Sequence, residues 1–198
     1  MKRIILIALT VLTAATVNGQ GKNSVQLDSI PVVDGIYQYL EVVNVDSTLG
    51  KEQLYKNAKV YFMNVFTGAK NAFQYDDKKE GRIIGKGSLT VEDYKRFFPS
   101  VTVLRWDVNY NTEIVCRDGK YSLRVYDIVI TKESHVAESN SRTVNYNIGD
   151  VYAAMPKQHG AYKALYPRVL NKLNADLKAR ITVLKESMEK KQDVFAVN

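Results

Sequence analysis

The sequence predicts a two-layer α+β domain in which an antiparallel sheet of about five strands carries two main helices on one face. Apolar and polar residues alternate along 104–117, which is typical of a strand buried on one side only. Asp118-Gly119 follows directly and is a strong signal for a two-residue hairpin turn. Apolar residues recur at every third or fourth position in 51–67 and again in 160–189, which is the period of an amphipathic helix.

The first twenty residues have the three zones of a secretory signal peptide. A basic start precedes an apolar run from Ile4 to Ala15 and a polar segment of small residues. The run is shorter than the roughly 20 residues of a membrane span, so we expect cleavage after Gly19 or Gln20 and no transmembrane anchor. A buried N-terminal strand or helix is the alternative. The mature chain is expected in the periplasm or outside the cell, and not as a lipoprotein, because no cysteine follows the run.

The strands and helices follow one another along the chain between a polar leader and a short tail. The β-branched and aromatic residues of 36–45 predict a first strand, and Gly50 precedes the first helix. After this helix we expect a hairpin, with strands at 72–75 and 82–89 joined by the polar turn 76–81. Residues 90–99 are expected to form a connector. Residues 21–35 form the expected leader and residues 191–198 the tail.

The second half continues with the alternating strand and its return strand. In the return strand the apolar parity switches, which predicts a β-bulge near Tyr126-Asp127. Residues 132–158 are polar and irregular and predict a long loop. The closing helix is expected at 167–189, with Pro167 in its first position, where a missing N–H costs nothing.

Composition and charge indicate one domain with a real core. The chain has 198 residues, is 45% hydrophobic and carries a formal net charge of +7, which falls to +5 without the two basic residues of the predicted signal. Acidic residues are interleaved with the basic ones throughout. A nucleic-acid partner needs basic residues clustered on one face, so no such partner is expected.

Few residues have catalytic or metal-binding potential. Cys116 is the only cysteine, so no intramolecular disulfide can form. It occupies an apolar position of the alternating strand, which favours burial as a small hydrophobe over a role as nucleophile. His135 and His159 have no further ligand at zinc spacing, and we interpret both as surface loop residues.

Residues 81–88 contain three glycines and resemble a phosphate-binding loop. The glycine spacing is one residue short, and the segment is predicted to lie in a hairpin strand, whereas such a loop joins a strand to a helix. Asp76 and Asp77 are interpreted as turn residues, since two lysines follow them. No metal or cofactor is therefore expected.

The polar face of the alternating strand is the strongest candidate site. Its residues are Arg105, Asp107, Asn109, Asn111 and Glu113, with Ser122 and Arg124 on the return strand. Helices on one side of a sheet leave the other side open. The face is either a solvated outer surface or a binding surface for a polar ligand or an envelope protein.

Three short runs carry a resemblance to a known family. They are Gly50-Lys51-Glu52-Gln53-Leu54-Tyr55-Lys56-Asn57-Ala58, Gly81-Arg82-Ile83-Ile84-Gly85-Lys86-Gly87 and Arg117-Asp118-Gly119-Lys120-Tyr121. Together they resemble an uncharacterised family of exported Bacteroidetes proteins, a domain of unknown function with a TBP-like fold, over about Tyr37 to Thr131. The resemblance implies a curved antiparallel sheet with helices on one face, within a single domain at 36–190. It brings no activity and no catalytic residues, and fold alone does not carry DNA binding.

The function that we expect first is a non-enzymatic binding or interaction module of the cell envelope. It follows from the export signal, the lack of a catalytic constellation and the open polar face. A hydrolytic-type enzyme is the first alternative, with a site formed by 132–158 and the polar face and with His135, Arg105 or Glu113 as candidates. A structural subunit of an envelope assembly, using the long closing helix, is the second.

Overall fold

The computed structural model describes residues 26–65, 73–136 and 140–191. The predicted signal peptide at 1–20 and all but the first residue of the predicted tail lie outside these residues. Three strands precede the first helix, five strands follow it, and the remaining helices close the chain. The bounds of these elements are β1 Val32–Val33, β2 Ile36–Tyr37, β3 Tyr39–Asn44, α1 Lys51–Val65, β4 Phe73–Asp77, β5 Arg82–Phe97, β6 Ser100–Arg117, β7 Lys120–Val136, β8 Asn140–Asn147, α2 Ile148–Ala154, a 3₁₀ turn Met155–Lys157 and α3 Tyr162–Met188.

The main sheet is antiparallel and has six strands. Its order is β3-β7-β6-β5-β4, and β8 also pairs with β7. The long strand β7 has two partners on the side away from β6, since β3 pairs with its first half and β8 with its second half. The predicted fold class is confirmed, and β8 is the strand that the sequence reading omitted.

The helices α1 and α3 cover one face of the sheet, and the core lies between this face and the two helices. The alternating residues of β6 point their apolar side chains into it, among them Trp106 and Ile114. Phe62 of α1 and Leu173 of α3 meet them from the helical layer. The side of the sheet that faces away from α1 and α3 is called the outer face below. No helix among the described residues is both long and apolar enough to cross a membrane.

The turn between β6 and β7 also starts the first helix. Gly119 has φ +68°, whereas the φ of Asp118 is not positive, so the turn is not the I′ type in which both central residues have positive φ. Asp118 accepts a hydrogen bond at Oδ1 from the backbone N–H of Lys51 across 2.7 Å. This bond satisfies one of the free N–H groups at the start of α1. The predicted hairpin and the predicted helix start are therefore one structural unit.

The bulge and the cysteine lie where the sequence predicts them. β6 and β7 shift register between Asn109, which faces Val129, and Asn111, which faces Tyr126. Cys116 is fully buried. Burial raises the pKa of its thiol to about 12, so the thiolate that a nucleophile needs is disfavoured.

The predicted connector at 90–99 is wrong, because β5 continues without a break to Phe97. The apolar and polar alternation that predicts a strand is interrupted by Asp93, an acidic residue at a position where an apolar one is expected. Asp93 is buried in an ion pair with Arg168 of α3, at 2.7 Å between Oδ1 and Nη2. Its charge is satisfied by the helical layer rather than by solvent.

The predicted loop at 132–158 is also wrong, because it contains the end of β7, β8, α2 and the 3₁₀ turn. β8 is a polar edge strand, so it lacks the alternation that marks a half-buried one. Asn147 then caps α2 by accepting the Gly149 N–H at 3.0 Å. His135, interpreted as a loop residue, lies within β7. His159 lies in the connection before α3 and is exposed.

The closing helix begins at Tyr162, so the prediction that Pro167 occupies its first position is wrong. Pro167 lies in the second turn, where it removes one intrahelical hydrogen bond. Leu165 and Tyr166 are buried directly before it, so packing holds this turn in place. The long amphipathic helix itself is confirmed.

The predicted leader is partly packed against the domain. Ile30 is buried, and its N–H donates to the Tyr152 hydroxyl of α2 at 3.0 Å. The strands β1 and β2 form a small hairpin around Asp34-Gly35, which both have positive φ. These contacts extend the packed domain towards the N-terminus beyond the predicted boundary at residue 36.

Candidate functional site

The predicted candidate residues lie on the outer face of the sheet. Each one alternates with a buried residue of β6 or β7, as the two-residue period requires. The set on β6 is Arg105, Asp107, Asn109, Asn111 and Glu113, and Ser122 and Arg124 are the residues on β7. No element of the described residues packs over the middle of this face. The structure separates all of these residues except Ser122 into three groups along the strands.

Glu113 and Arg124 form the first group and are held by neighbouring side chains. Glu113 accepts a hydrogen bond from Arg82 Nε at 2.6 Å. Arg124 lies opposite Glu113 in the register, yet it donates from Nε to Gln38 Oε1 at 2.5 Å and stacks 4.3 Å from the ring of Tyr126. Both charges are thus committed to contacts that order the sheet.

Glu113 also borders a basic groove of about 510 Å³ at the end of the sheet, lined by Lys51, Lys79, Glu80, Arg82, Glu113, Val115 and Arg117. Three cations of this groove already have partners within the protein. Arg82 binds Glu113, Arg117 donates from Nη1 to the Glu80 carbonyl at 2.6 Å, and Lys51 donates to the Lys79 carbonyl. An incoming anion would have to share these cations with their present partners, which favours a structural role for the groove.

Arg105 and Asp107 form the second group, towards the other end of β6. Asp107 accepts a hydrogen bond at Oδ1 from the Thr90 hydroxyl at 2.6 Å, and Arg105 Nε lies 3.9 Å from the same oxygen. Arg105 lines a different cavity, of about 280 Å³, together with Lys132 and Tyr166. Arg105 and Glu113 therefore do not meet in one site.

Asn109 and Asn111 form the third group, and they share a groove in the middle of the outer face. This groove of about 300 Å³ is lined mainly by polar side chains, which are Gln74, Lys86, Asn109, Asn111, Asp127, Thr131 and Asn145, together with Tyr110 and Val129. It is called the amide groove below. Of the predicted candidates, these two are the ones that the structure brings together in one groove.

The β-bulge shapes the amide groove. Two residues of β7, Asp127 and Ile128, face the single residue Tyr110 of β6. Asp127 has φ +52°, in the left-handed region that residues other than glycine rarely adopt. This conformation keeps Ile128 in the core and leaves Asp127 exposed on the groove. Bulges redirect side chains in this way.

Hydrogen bonds within the groove hold its side chains in fixed orientations. Asn111 donates from Nδ2 to Asp127 Oδ2 at 3.0 Å. Asn109 donates from Nδ2 to Thr131 Oγ1 at 3.4 Å, and Thr131 donates from Oγ1 to Asn145 Oδ1 at 3.0 Å. These bonds leave acceptor oxygens on Asn109 and Asn111 and the amide donors of Asn145. Donors and acceptors are therefore presented side by side.

Sequence reasoning missed most of this groove. Asp127 was assigned to a bulge but not to a site, although an acidic residue at a parity switch is a usable signal. Lys86, Asn145 and Gln74 come from other strands, and only the register brings them beside β6. No three His, Cys, Asp or Glu side chains converge as metal ligands within the described part of the chain.

The glycine-rich segment 81–88 has a packing role in the structure. It lies at the start of β5, in a hairpin as predicted. Gly87 faces the ring of Tyr110, and a Cβ atom at Gly87 would lie 2.4 Å from Tyr110 Cζ. The missing side chain thus makes room for an aromatic ring.

Comparison with solved structures places the chain in a class of TBP-like α+β proteins. It superposes on a TBP-like protein from Parabacteroides distasonis with a TM-score of 0.58 and 14% identity, over 82% of this chain and 99% of that one. A DUF4468 family protein from Bacteroides ovatus gives a TM-score of 0.54 and 15% identity, over 82% of this chain and 91% of that one. At these identities the likeness concerns the fold.

The sequence itself is similar to a described family over part of its length. Residues 39–131 match the family described as domain of unknown function (DUF4468) with TBP-like fold. The matched part includes β3 to β6 and most of β7. The amide groove is formed mainly within it, with Asn145 added by β8. No curated protein matches the sequence.

Proposed function

We propose that this chain is a non-enzymatic binding module of the bacterial cell envelope and that the amide groove holds a polyhydroxylated ligand such as a cell-wall saccharide. The observation that carries the proposal is the conformation of Asp127. Left-handed backbone costs roughly 1–2 kcal/mol in most residues other than glycine and less in Asp and Asn, and conformations of this kind are concentrated at functional sites. Here it presents a carboxylate on an uncovered polar groove.

The chemistry of the groove fits hydroxyl groups. A sugar hydroxyl donates one hydrogen bond and accepts others, so it is matched by an acceptor next to a donor. Asn111 and Asp127 supply acceptor oxygens, and the amide of Asn145 supplies donors. The side chains are already ordered by their mutual bonds, which lowers the entropy lost on binding.

An enzyme built from the residues named in the sequence reading has little support. Arg105 and Glu113 line separate cavities. They are eight residues apart on one strand, which separates them by about 27 Å at about 3.4 Å per residue. The segment 132–158 contributes a strand and a helix rather than a loop that could close over the sheet.

A structural role for the closing helix is also less well supported. The apolar stripe of α3 is buried against the sheet, as Val169, Leu173 and Leu177 illustrate. It is therefore not available for assembly with another protein. The outer face, in contrast, has no covering element in the described residues.

The proposal is tested by titrating soluble saccharides released from bacterial cell wall into the protein and following backbone amide resonances. We expect the largest shifts at Asn109, Asn111, Asp127 and Asn145. The variant Asp127→Ala should weaken binding about tenfold or more, as expected for a lost hydrogen bond to a charged group. Glu92→Gln removes a charge from the same face outside the groove and should leave affinity unchanged. Shifts confined to other surfaces, or none with any saccharide, would refute the proposal.

A further inference from the structure

The hairpin formed by β5 and β6 extends well beyond the rest of the sheet. The two strands pair as far as Phe97 and Ser100, whereas β7 pairs with β6 only as far as Asp107. Asp93 and Leu104 are the last buried residues before the turn. Five residues at about 3.4 Å each place Phe98 about 17 Å beyond Asp93. The residues from 94 to 103 are called the hairpin tip.

The hairpin tip exposes a concentrated apolar surface. Its large side chains are about half exposed or more, and these are Tyr94, Phe97, Phe98, Val101 and Val103. Phe98, in the turn itself, is fully exposed at 103%. Tyr94, Val101 and Val103 share one face of the hairpin, Phe97 lies on the other face and Phe98 lies in the turn. Single exposed apolar residues are ordinary, but a cluster around one tip indicates a surface that contacts a partner or a membrane.

The charge of the hairpin tip has a single sign. Residues 94–103 include Lys95 and Arg96 and contain no Asp or Glu. The Lys95 ammonium lies 4.7 Å from the centre of the Phe97 ring, and the Arg96 guanidinium lies 5.3 Å from that of Tyr94. The cations are therefore next to the aromatic rings, and Arg105 follows them on β6.

We propose that the hairpin tip inserts its aromatic residues into the interfacial layer of an anionic lipid bilayer. Aromatic rings next to Lys and Arg are what this layer binds, with the rings at the acyl boundary and the cations at the anionic headgroups. The layer is about 5–8 Å thick on each side, so the tip is long enough to cross it while the domain stays outside. This surface is separate from the amide groove, and the proposal does not depend on the saccharide.

The first test measures binding to vesicles of phosphatidylcholine with and without phosphatidylglycerol by co-sedimentation. We expect binding that needs phosphatidylglycerol and weakens as salt is added, since exposed charges are screened. Phe97→Ser with Phe98→Ser should weaken it about tenfold or more, because two rings stay in water. The unmodified protein and the double variant carry the same N-terminal segment, so a difference in their vesicle binding is caused by the hairpin tip. Equal binding of the two proteins would overturn the proposal.

A matched pair of charge variants tests the role of the cations. Lys95→Gln with Arg96→Gln should abolish the preference for phosphatidylglycerol. Lys79→Gln with Lys120→Gln removes two charges from exposed positions at the opposite end of the sheet and should preserve it. An equal loss in both pairs would mean that net charge alone drives binding, which would overturn insertion of this tip.

A spectroscopic test locates the inserted residue. Trp106 is the only tryptophan and is fully buried, so brominated lipids should not quench the emission of the unmodified protein. In Phe98→Trp the added indole should be quenched by brominated lipids. An unquenched Phe98→Trp emission on bound vesicles would refute insertion. Capture of a protein through this tip without any vesicle binding would likewise refute it.

Discussion

Arg168 of α3 donates a hydrogen bond from Nη2 to Oδ1 of Asp93 on β5 across 2.7 Å. Lys172, one turn further along α3, has its Nζ 3.4 Å from Oδ2 of the same carboxylate. The side chain of Asp93 is 5% exposed. These contacts join the long helix to the point where the hairpin leaves the core.

Replacing Arg168 should therefore destabilise the protein. Arg168→Gln leaves the Asp93 carboxylate buried with a strong partner missing, which should lower the free energy of unfolding by roughly 1–3 kcal/mol in urea at pH 7. Lys178→Gln is the matched control on α3, because its partner Asp28 is 60% exposed. The control should cost much less, since ion pairs between exposed side chains contribute little to stability. Equal losses would show that burial of the carboxylate does not matter.

The same pair predicts a pH dependence. Burial of Asp93 would raise its pKa, but the Tyr94 N–H, Arg168 and Lys172 outweigh burial and lower the pKa below the ordinary 3.8. A carboxyl with a lowered pKa stabilises the fold above its unfolded pKa and loses this effect as the pH falls through the folded value. The stability difference between Arg168→Gln and the unmodified protein should therefore shrink below pH 3.8. A difference that persists undiminished in acid would contradict this.

Cys116 should be chemically inert in the folded protein. It is fully buried, and burial raises the pKa of its thiol to about 12. At pH 8 the thiol should not react with a disulfide reagent in buffer and should react fully in concentrated guanidinium chloride. Rapid labelling without denaturant would show that the strand around Cys116 opens readily.

Gly87 should not accept a side chain. Gly87→Ala places a Cβ atom 2.4 Å from Tyr110 Cζ, and such overpacking should cost about 1–3 kcal/mol of unfolding free energy. Gly50→Ala is the control, because its Cβ would meet nothing closer than 3.6 Å. In a Tyr110→Leu background the cost of Gly87→Ala should fall, and an unchanged cost would exclude the ring as its cause.

Asp127 offers a test of backbone strain at the bulge. Asp127→Gly should keep or raise the unfolding free energy, since glycine adopts positive φ without a penalty. Asp127→Val should lower it by roughly 1–2 kcal/mol. Asp127→Asn preserves shape and tolerance of this conformation and serves as the control. Equal stability of the valine and glycine variants would show that φ +52° is not strained here.

Local patterns in the sequence predicted the elements in which apolar residues are buried and polar residues are exposed. The alternation from Leu104 to Cys116 predicted the main strand and its outer face, and the parity switch predicted the bulge at Asp127. Asp93 misled the same reasoning, because its burial depends on Arg168, which is distant in the sequence. The spacing of residues along the chain was enough to recognise an apolar face of a strand. It was not enough to recognise a buried charge whose partner lies in the helical layer.

The amide groove could be predicted only in part for a similar reason. Asn109 and Asn111 were selected because they alternate along one strand. Lys86, Asn145 and Asp127 reach them through the register of three other strands and through the bulge. Register depends on the pairing of whole strands, which a single sequence does not display.

The position of β3 has a consequence for the order in which the domain folds. Strands β4 to β7 pair with their neighbours in the chain, whereas β3 pairs with β7. Contacts between neighbouring segments form with a smaller loss of loop entropy than contacts between distant ones. A chain that emerges N-terminus first from a ribosome or a translocon must therefore keep β3 without its partner until β7 has followed, and the meander assembles before that edge is closed.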